Sequence, residues 1–213
     1  MEELLNDLRN TLSTYDKNEA FRIVRLIIEK GKDPIEVINF LTTKMVDIGN
    51  RFAKYELFLP DLVGAGDIMQ SILPILESEI KKKGLEVNKL GTVVLGTVQG
   101  DIHSIGKDLV NILLKAEGFN VIDLGVDNSA SNFIKAVKDY NADILAMSAL
   151  LTTTANEQKK VIESLVSEGI RHKVKVIVGG GAITEDFAVK IGADGYESTA
   201  PGAAKIARNL LKK

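Results

Sequence analysis

Apolar side chains recur every three or four residues through the first part of the chain, which is the spacing of amphipathic helices. The pattern predicts four helices in succession. Gly31 ends the second helix, and Asp33-Pro34 supplies an N-cap and a first-turn proline for the third. The fourth helix follows Pro60 and contains Pro74, which should kink or locally disrupt it. Short connections between these helices indicate a four-helix bundle over residues 1–83.

From about Leu90 onward, short apolar strands alternate with amphipathic helices. The predicted strands lie near 92–98, 120–124, 143–148, 174–179 and 194–196. The predicted helices lie near 105–117, 130–139, 155–168, 184–191 and 201–211. This alternation is typical of a doubly wound parallel sheet. We predict a five-stranded flavodoxin-like or Rossmann-like α/β domain over 91–213, with strand order 2-1-3-4-5, and a polar linker at 84–90 that joins it to the bundle.

The predicted strand order creates a switch point between the first and third strands. Ligands of open α/β sheets bind at the carboxyl ends of the strands at such a point. The first strand runs into Gly100-Asp101-Ile102-His103-Ser104-Ile105-Gly106, and the third strand ends at Ser148. We therefore expect His103 and Ser148 to lie in the same crevice.

Composition narrows the classes of function. The chain has 213 residues, two histidines and no cysteine, which excludes disulfides, thiolate metal sites and a cysteine nucleophile. A net charge of −2 without a basic patch argues against nucleic-acid binding. The sequence shows neither a long apolar run nor a signal peptide, so we expect a cytoplasmic protein that does not bind membranes.

His103 has the chemistry of a metal ligand, and Asp101 stands two residues earlier as an acceptor for its second ring nitrogen. A bare zinc ion needs three or four protein ligands, and the sequence offers no such cluster around this loop. His172, the second histidine, lies in a polar segment before a predicted strand and is interpreted as a surface residue. A metal bound by His103 would therefore bring most of its own ligands, as it does in a corrin or a haem.

The motif Asp101-x-His103-x-x-Gly106 resembles the cobalamin-binding signature of corrinoid proteins in cobalamin-dependent methyltransferase systems, those of methylamine, methanol and O-demethylase type. It is also similar to the cobalamin-binding region of methionine synthase. Further fragments of that signature follow in order and at predicted strand ends: Ser148-x-Leu150, Thr152 and Thr154, and Gly179-Gly180. The resemblance covers nearly the whole chain, including the N-terminal helices.

The resemblance implies a cobalamin cofactor, as methylcobalamin, cob(I)alamin or a related corrinoid, bound in the base-off, His-on form. His103 would be the lower axial ligand of cobalt, and Asp101 would hydrogen-bond the other imidazole nitrogen. Thr154 would extend this relay through its hydroxyl, at a position where serine is the familiar residue. Because cobalt loses the histidine in the Co(I) state, release of His103 would be coupled to proton uptake.

Other roles are likewise implied by the resemblance. The remaining loop residues, Gly100, Ile102, Ser104, Ile105 and Gly106, would face the corrin, and a side chain at Gly106 would crowd it. Glycine at this position should also permit the turn. Ser148, Leu150 and Thr152 would line the slot for the detached nucleotide tail, Gly179 and Gly180 would let backbone approach that tail, and Tyr196 is a candidate contact in a segment that departs from the family pattern.

Phe58-Leu59-Pro60 has two interpretations. On the residues alone, Phe58 and Leu59 are bundle core. In corrinoid proteins, however, a similar stretch heads the helix that caps the upper face of the corrin. The resemblance therefore makes the N-terminal bundle a cap and places Phe58, Leu59 and Val63 near the cofactor, where they would exclude water.

The function implied is that of a corrinoid methyl carrier, a methyltransferase-system subunit rather than a self-sufficient enzyme. Its partners would be a substrate-specific methyltransferase, a second methyltransferase that serves a tetrahydropterin or thiol acceptor, and a reductive activation protein. The methyl donor is left open among methylamines, methanol, methoxylated aromatics and betaines. The alternatives are a cobalamin-binding sensor or regulatory module, the cobalamin subunit of a mutase, and a flavodoxin-like flavin binder.

Overall fold

The computed structural model describes residues 2–83 and 89–212, which fall into two units, Met1–Asn88 and Lys89–Lys213. Most of the predicted linker, residues 84–88, lies outside the described residues. In the described part of the chain, no helix is long and apolar enough to cross a membrane.

The first unit is helical, as predicted. Its helices pack against one another through their apolar stripes, and their most deeply buried side chains include Leu8, Ile23, Leu41 and Leu62. Such burial, rather than intrinsic propensity, supplies most of the stability of helices of this length. The helices are α1 (Glu2–Thr14), α2 (Lys17–Glu29), α3 (Pro34–Ala53) and α4 (Leu59–Lys82).

The helix boundaries follow from local chemistry. Gly31, just past the end of α2, has φ +77°, a conformation that glycine adopts without strain. The Asp33 carboxylate accepts the N–H of Ile35 at 2.9 Å, and Pro34 is the first residue of α3. Helix α4 continues through Pro74, so this residue does not end the helix, and the predicted kink or local disruption stays a prediction. Pro74 is exposed, so the helix loses one hydrogen bond on its solvent side while its apolar side stays packed.

Tyr15 and Asp61 form a clasp at the start of α4. The Asp61 carboxylate accepts the backbone N–H of Phe58 and the hydroxyl of Tyr15, each at 2.7 Å. These two hydrogen bonds, from the backbone first and from Tyr15 second, lower the pKa of Asp61. The same bond to Asp61 raises the pKa of Tyr15. The clasp holds the Tyr15 ring against Gly64. A Cβ atom added to Gly64 would lie 2.5 Å from the Cδ1 atom of Tyr15.

We expect Gly64→Ala to lower the free energy of unfolding by about 1–3 kcal/mol, because the new methyl group overpacks a restrained ring. Intrinsic helix propensity alone would favour alanine by about 1 kcal/mol, so the sign of the effect is informative. Urea unfolding should show this cost in the wild-type background and its loss in a Tyr15→Ala background. An equal cost in both backgrounds would mean that the Tyr15 ring does not cause it.

The second unit is a doubly wound α/β domain with a parallel sheet, and the predicted strand order β2-β1-β3-β4-β5 is confirmed. Helix α5 packs with α9, and α7 packs with α6 and α8. The elements are β1 (Thr92–Thr97), α5 (Ile105–Ala116), β2 (Asn120–Asp123), α6 (Ala130–Asp139), β3 (Ile144–Ser148), α7 (Thr152–Ser167), β4 (Lys175–Gly179), α8 (Glu185–Ile191), β5 (Gly195–Tyr196) and α9 (Ala200–Leu211).

Helix α7 begins at Thr152, three residues before its predicted start near 155. The carbonyl of Leu151 accepts the N–H groups of Thr154 and Ala155, so a polar stretch that resembles a loop forms the first helical turn. This shift matters for the site, because it places Thr154 on a rigid element. The exposed residue His172 lies in a short 3₁₀ turn before β4, in agreement with its interpretation as a surface histidine.

The switch point lies between β1 and β3, where Thr97 pairs with Ser148. The interior residues of both strands are buried, as expected for a parallel sheet covered by helices on both faces. The loops that leave these two strands emerge side by side at the carboxyl edge of the sheet. This arrangement brings the segment that begins at Gly100 next to the segment that begins at Ala149.

Candidate functional site

The centre of the site is the carboxylate of Asp101, which is fully buried. One oxygen, Oδ1, accepts the backbone N–H of His103 at 3.1 Å and contacts the His103 Nδ1 atom at 2.7 Å. The other oxygen, Oδ2, accepts the N–H of Leu150 at 2.7 Å and the hydroxyl of Thr154 at 2.8 Å. Burial alone would raise the pKa of Asp101, but these hydrogen bonds outweigh it and hold the pKa well below its usual range.

The ionised carboxylate of Asp101 accepts a hydrogen bond from the Nδ1–H group of His103, which leaves Nε2 as the ring nitrogen available to bind a metal. Among the described residues, none forms a hydrogen bond with Nε2. The His103 side chain is 48% exposed, and its neighbours Ile102 and Ile105 are 76% and 68% exposed. An oriented imidazole surrounded by exposed apolar side chains fits the axial ligand of a large, partly apolar macrocycle.

A bare metal ion fits this site poorly. Within residues 2–83 and 89–212, no group of three or more His, Cys, Asp and Glu side chains could hold one. The Asp101 oxygens are already engaged by four donors, so they are not free to bind a cation beside His103. A metal bound here would therefore bring most of its own ligands, as the sequence indicates.

Gly106 does not serve the turn, and that part of the prediction is wrong. It lies in the first turn of α5, and the residue of the motif with a positive φ (+77°) is Gly100. A Cβ atom built on Gly106 would meet nothing within 4 Å. Since no described neighbour explains a glycine here, the open space beside it suits a bound group that lies close to the helix.

The glycines after β4 are required by the protein itself. Gly180 has φ +118°, and a Cβ on it would lie 2.0 Å from the carbonyl oxygen of Ala149. A Cβ on Gly179 would lie 3.0 Å from the carbonyl oxygen of Glu197. Their small size therefore allows the loops at the sheet edge to approach one another, whereas their predicted contact with a nucleotide tail stays a prediction.

The other predicted slot residues lie at the same sheet edge. Ser148, at the end of β3, is half-buried, while Leu150 and Thr152 are exposed. Tyr196 pairs with Val178 and packs against the apolar core of the domain. Their predicted contacts with cobalamin stay predictions.

Phe58, Leu59 and Val63 lie at the start of α4 in the helical unit. Phe58 is 73% exposed, and Leu59 and Val63 are also exposed. The interpretation of Phe58 and Leu59 as bundle core is therefore wrong. Their predicted position near the corrin stays a prediction.

The sequence did not indicate the residues that hydrogen-bond the backbone of the His103 loop. The Thr97 hydroxyl donates to the carbonyl of His103 at 3.0 Å, and the Asp127 carboxylate accepts the N–H of Gly100 at 2.7 Å. Thr97 has the pattern of an ordinary strand residue, so nothing in the sequence distinguishes it. The Asp127-Asn128 pair after β2 is a turn signal that could have drawn attention to this loop.

Lys107 was also missed. Its side chain is only 2% exposed, and its ammonium lies 2.6 Å from carboxylate oxygens of Asp108 and Asp123. A buried lysine is stable only when paired in this way. Lys107 directly follows Gly106 in the first turn of α5. Its ion pair with Asp123 connects that turn to the end of β2.

Comparisons with known proteins agree with this geometry. A family model described as a B12 binding domain matches residues 91–205, and a second with the same description matches residues 4–77. Trimethylamine corrinoid protein 2 of Methanosarcina mazei is 37% identical, over 99% of this chain and 97% of its own length. Dimethylamine corrinoid protein 2 of Methanosarcina acetivorans is 42% identical, over 99% and 97%. The chain belongs to the corrinoid protein family.

Solved structures show the same relationship. The methanol:cobalamin methyltransferase complex MtaBC from Methanosarcina barkeri matches with a TM-score of 0.87 and 32% identity, over 98% of this chain and 80% of that one. A cobalamin-binding protein from Desulfitobacterium hafniense matches with a TM-score of 0.76 and 30% identity, over 97% and 98%.

Membership of this family confirms the predicted resemblance, the fold class and the cobalamin cofactor. This corrinoid protein is a methyl carrier of a methyltransferase system. A sensor module and a mutase subunit are not favoured, and a flavin is not the cofactor that the family binds.

We expect Thr154→Val to lower the free energy of unfolding of the apoprotein by about 1–3 kcal/mol, because Asp101 loses a buried hydroxyl donor. Thr154→Ser, which keeps the hydroxyl, should recover most of the loss. The control is Thr153→Val, an exposed neighbour in the same helical turn. Chemical unfolding checks the prediction, and equal costs at positions 153 and 154 would contradict it.

Proposed function

We propose that His103 binds the cobalt of base-off cobalamin through Nε2 while the protein carries a methyl group between two methyltransferases. The observation that carries the proposal is the contact between His103 Nδ1 and the buried, ionised carboxylate of Asp101, which leaves Nε2 at the exposed edge of the switch point. When bound, cobalamin supplies a cobalt centre that accepts and releases the methyl group, which is chemistry that no amino-acid side chain provides.

Asp101 orients the imidazole and stabilises positive charge on it. The backbone N–H and the ring Nδ1 of His103 share one carboxylate oxygen, so the ring is fixed relative to its own backbone. His103 would hold the cobalt through Nε2, and the Asp101 carboxylate would balance positive charge on the imidazole.

Thr154 and Leu150 hold the Asp101 carboxylate in its orientation. Their donors engage Oδ2, so Oδ1 remains directed at His103. The Thr154 hydroxyl oxygen also lies 3.0 Å from the carbonyl oxygen of Leu151, so its single proton is shared between that carbonyl and the nearer Asp101 carboxylate at the start of α7. A proton gained by the imidazole would therefore be held at Nε2, while Asp101 stays ionised.

The remaining site residues bind the cofactor rather than move protons. Ile102 and Ile105 offer apolar contacts beside His103, and the open space at Gly106 accommodates the ring edge. Ser148, Leu150 and Thr152 receive the detached nucleotide tail at the end of β3. The predicted role of Phe58, Leu59 and Val63 in excluding water from the methyl group stays a prediction.

We further propose methylamines as the class of methyl donor, delivered by a substrate-specific methyltransferase. The support is the similarity to trimethylamine and dimethylamine corrinoid proteins over nearly the full length of each. Methanol is the second candidate, since the fold of the MtaBC chain agrees best among the structures compared above. A second methyltransferase serving a tetrahydropterin or thiol, a reductive activation protein and a cytoplasmic location stay predictions.

The donor is tested by stoichiometric methylation of the reduced, cobalamin-loaded protein. Each of three methyltransferases, for trimethylamine, dimethylamine and methanol, is supplied with its substrate, and the absorption change of the corrin is recorded. The expected result is methylation with an amine-specific enzyme. Methylation only with the methanol enzyme would overturn the donor class, and methylation with none would overturn the assignment of all three donors.

We expect His103→Ala to lose the cobalt–nitrogen bond and to slow methylation by roughly tenfold or more, whereas His172→Ala should behave as wild type. His172 is the matched control because it is exposed and lies in a turn before β4. Absorption spectra and methylation rates of both variants check this prediction. Identical behaviour of the two variants would remove His103 from the site.

We expect Gly106→Ala to leave the apoprotein as stable as wild type or up to about 1 kcal/mol more stable, because alanine is the better helix former and its Cβ meets open space. Cobalamin affinity should nevertheless fall by roughly tenfold or more, since the methyl group occupies space that the corrin needs. Thermal unfolding of the apoprotein and spectroscopic titration with cobalamin separate the two effects. Unchanged affinity would show that the corrin does not pack against Gly106.

A further inference from the structure

Thr97 is the last residue of β1, and its N–H, carbonyl and hydroxyl groups all form hydrogen bonds. Its side chain and backbone are fully buried. Its N–H donates to the carbonyl of Gly125 at 3.0 Å, and its carbonyl accepts the N–H and the side-chain amide of Asn128 at 3.0 and 3.2 Å. Its hydroxyl donates to the carbonyl of His103 at 3.0 Å. Thr97 therefore connects the end of the sheet directly to the histidine.

The His103 residue is held on both sides of its Cα atom. On the amino side, its N–H and its ring Nδ1 are bound to Asp101 Oδ1. On the carboxyl side, its carbonyl is bound to the Thr97 hydroxyl. The Asp101 contacts fix the ring relative to the loop, and the Thr97 contact ties the His103 carbonyl directly to the last residue of β1.

Asp127 holds the start of the same loop. Its carboxylate accepts the N–H of Gly100 at 2.7 Å, and its own N–H donates to the carbonyl of Asp101 at 3.0 Å. Asp127 has φ +55°, an uncommon conformation for a residue other than glycine. Strain of this kind persists only where surrounding contacts determine the backbone, and here those contacts are to the histidine loop.

We infer that Thr97 and Asp127 are positioning residues for cobalt ligation. Thr97 sets where His103 Nε2 stands above the sheet edge, and Asp127 sets the path of the loop that leads to it. In the described part of the chain, the hydrogen bonds of Thr97 and Asp127 to this loop go to its backbone groups, so both residues act through the backbone. This inference rests on the proposed role of His103 as the axial ligand. It means that residues other than Asp101 and Thr154 also influence what fraction of the cobalt is bound by His103.

The test compares Thr97→Val, which keeps the shape and removes the hydroxyl, with Thr97→Ser, which restores the hydroxyl. Each protein is saturated with cobinamide, which lacks the benzimidazole base, and reduced to Co(II). EPR then measures the fraction of cobalt that shows nitrogen superhyperfine coupling. Loss of one hydrogen bond predicts a roughly twofold to tenfold fall in the ratio of ligated to unligated cobalt for valine. Serine should recover it.

The matched control is Thr92→Val, at the opposite end of β1, where the hydroxyl accepts a long hydrogen bond of 3.4 Å from Asn120. It should leave the ligated fraction unchanged. Asp127→Ala tests the second residue at an exposed position and should also lower the ligated fraction. It keeps the inference testable if Thr97→Val fails to fold.

The apoprotein supplies an independent measurement. The NMR signal of the His103 Nδ1 proton, protected by the Asp101 carboxylate, should broaden in Thr97→Val and sharpen again in Thr97→Ser. A ligated fraction and an Nδ1 signal in Thr97→Val and Asp127→Ala equal to wild type would overturn the inference while leaving His103 as ligand. Absence of nitrogen coupling in the wild-type protein would instead overturn the proposed ligation, and with it this inference.

Discussion

The buried carboxylate of Asp101 is the constraint on which the site depends. An ionised carboxylate without donors would be very costly to bury, and Asp101 is stable in this position because four donors converge on it. Those donors come from three segments: the loop after β1, the loop after β3 and the first turn of α7. One side chain thus joins the two strands of the switch point, and the same hydrogen bonds that make its burial possible determine which nitrogen of His103 faces outward.

The fold supplies the two halves of this arrangement in a fixed order. Parallel pairing of β1 with β3 places the His103 loop beside Leu150, and the early start of α7 delivers Thr154 to the same carboxylate. The protein thereby offers an oriented ligand and exposed apolar surface, while the reactive centre belongs to cobalamin. This division of labour is consistent with the small number of titratable groups at the site.

The fold was largely predictable from the sequence because strand–helix alternation and the switch-point rule act over many residues at once. The motif around His103 was predictable because Asp101 lies only two residues away. The contact of Thr97 with the His103 carbonyl was not, since it depends on how an intervening loop turns back onto the strand. Exposure could not be read from the apolar pattern either: Phe58 resembles a core residue in the sequence but lies outside the bundle core.

The central claim is that a protein histidine, oriented by Asp101, binds cobalt in place of the cofactor's own base. The most direct measurement is EPR of the Co(II) protein loaded with cobinamide, prepared once with natural histidine and once with ¹⁵N-labelled histidine. The account predicts a three-line superhyperfine pattern that becomes a two-line pattern on labelling. A spectrum without nitrogen coupling, or one that labelling leaves unchanged, would contradict it.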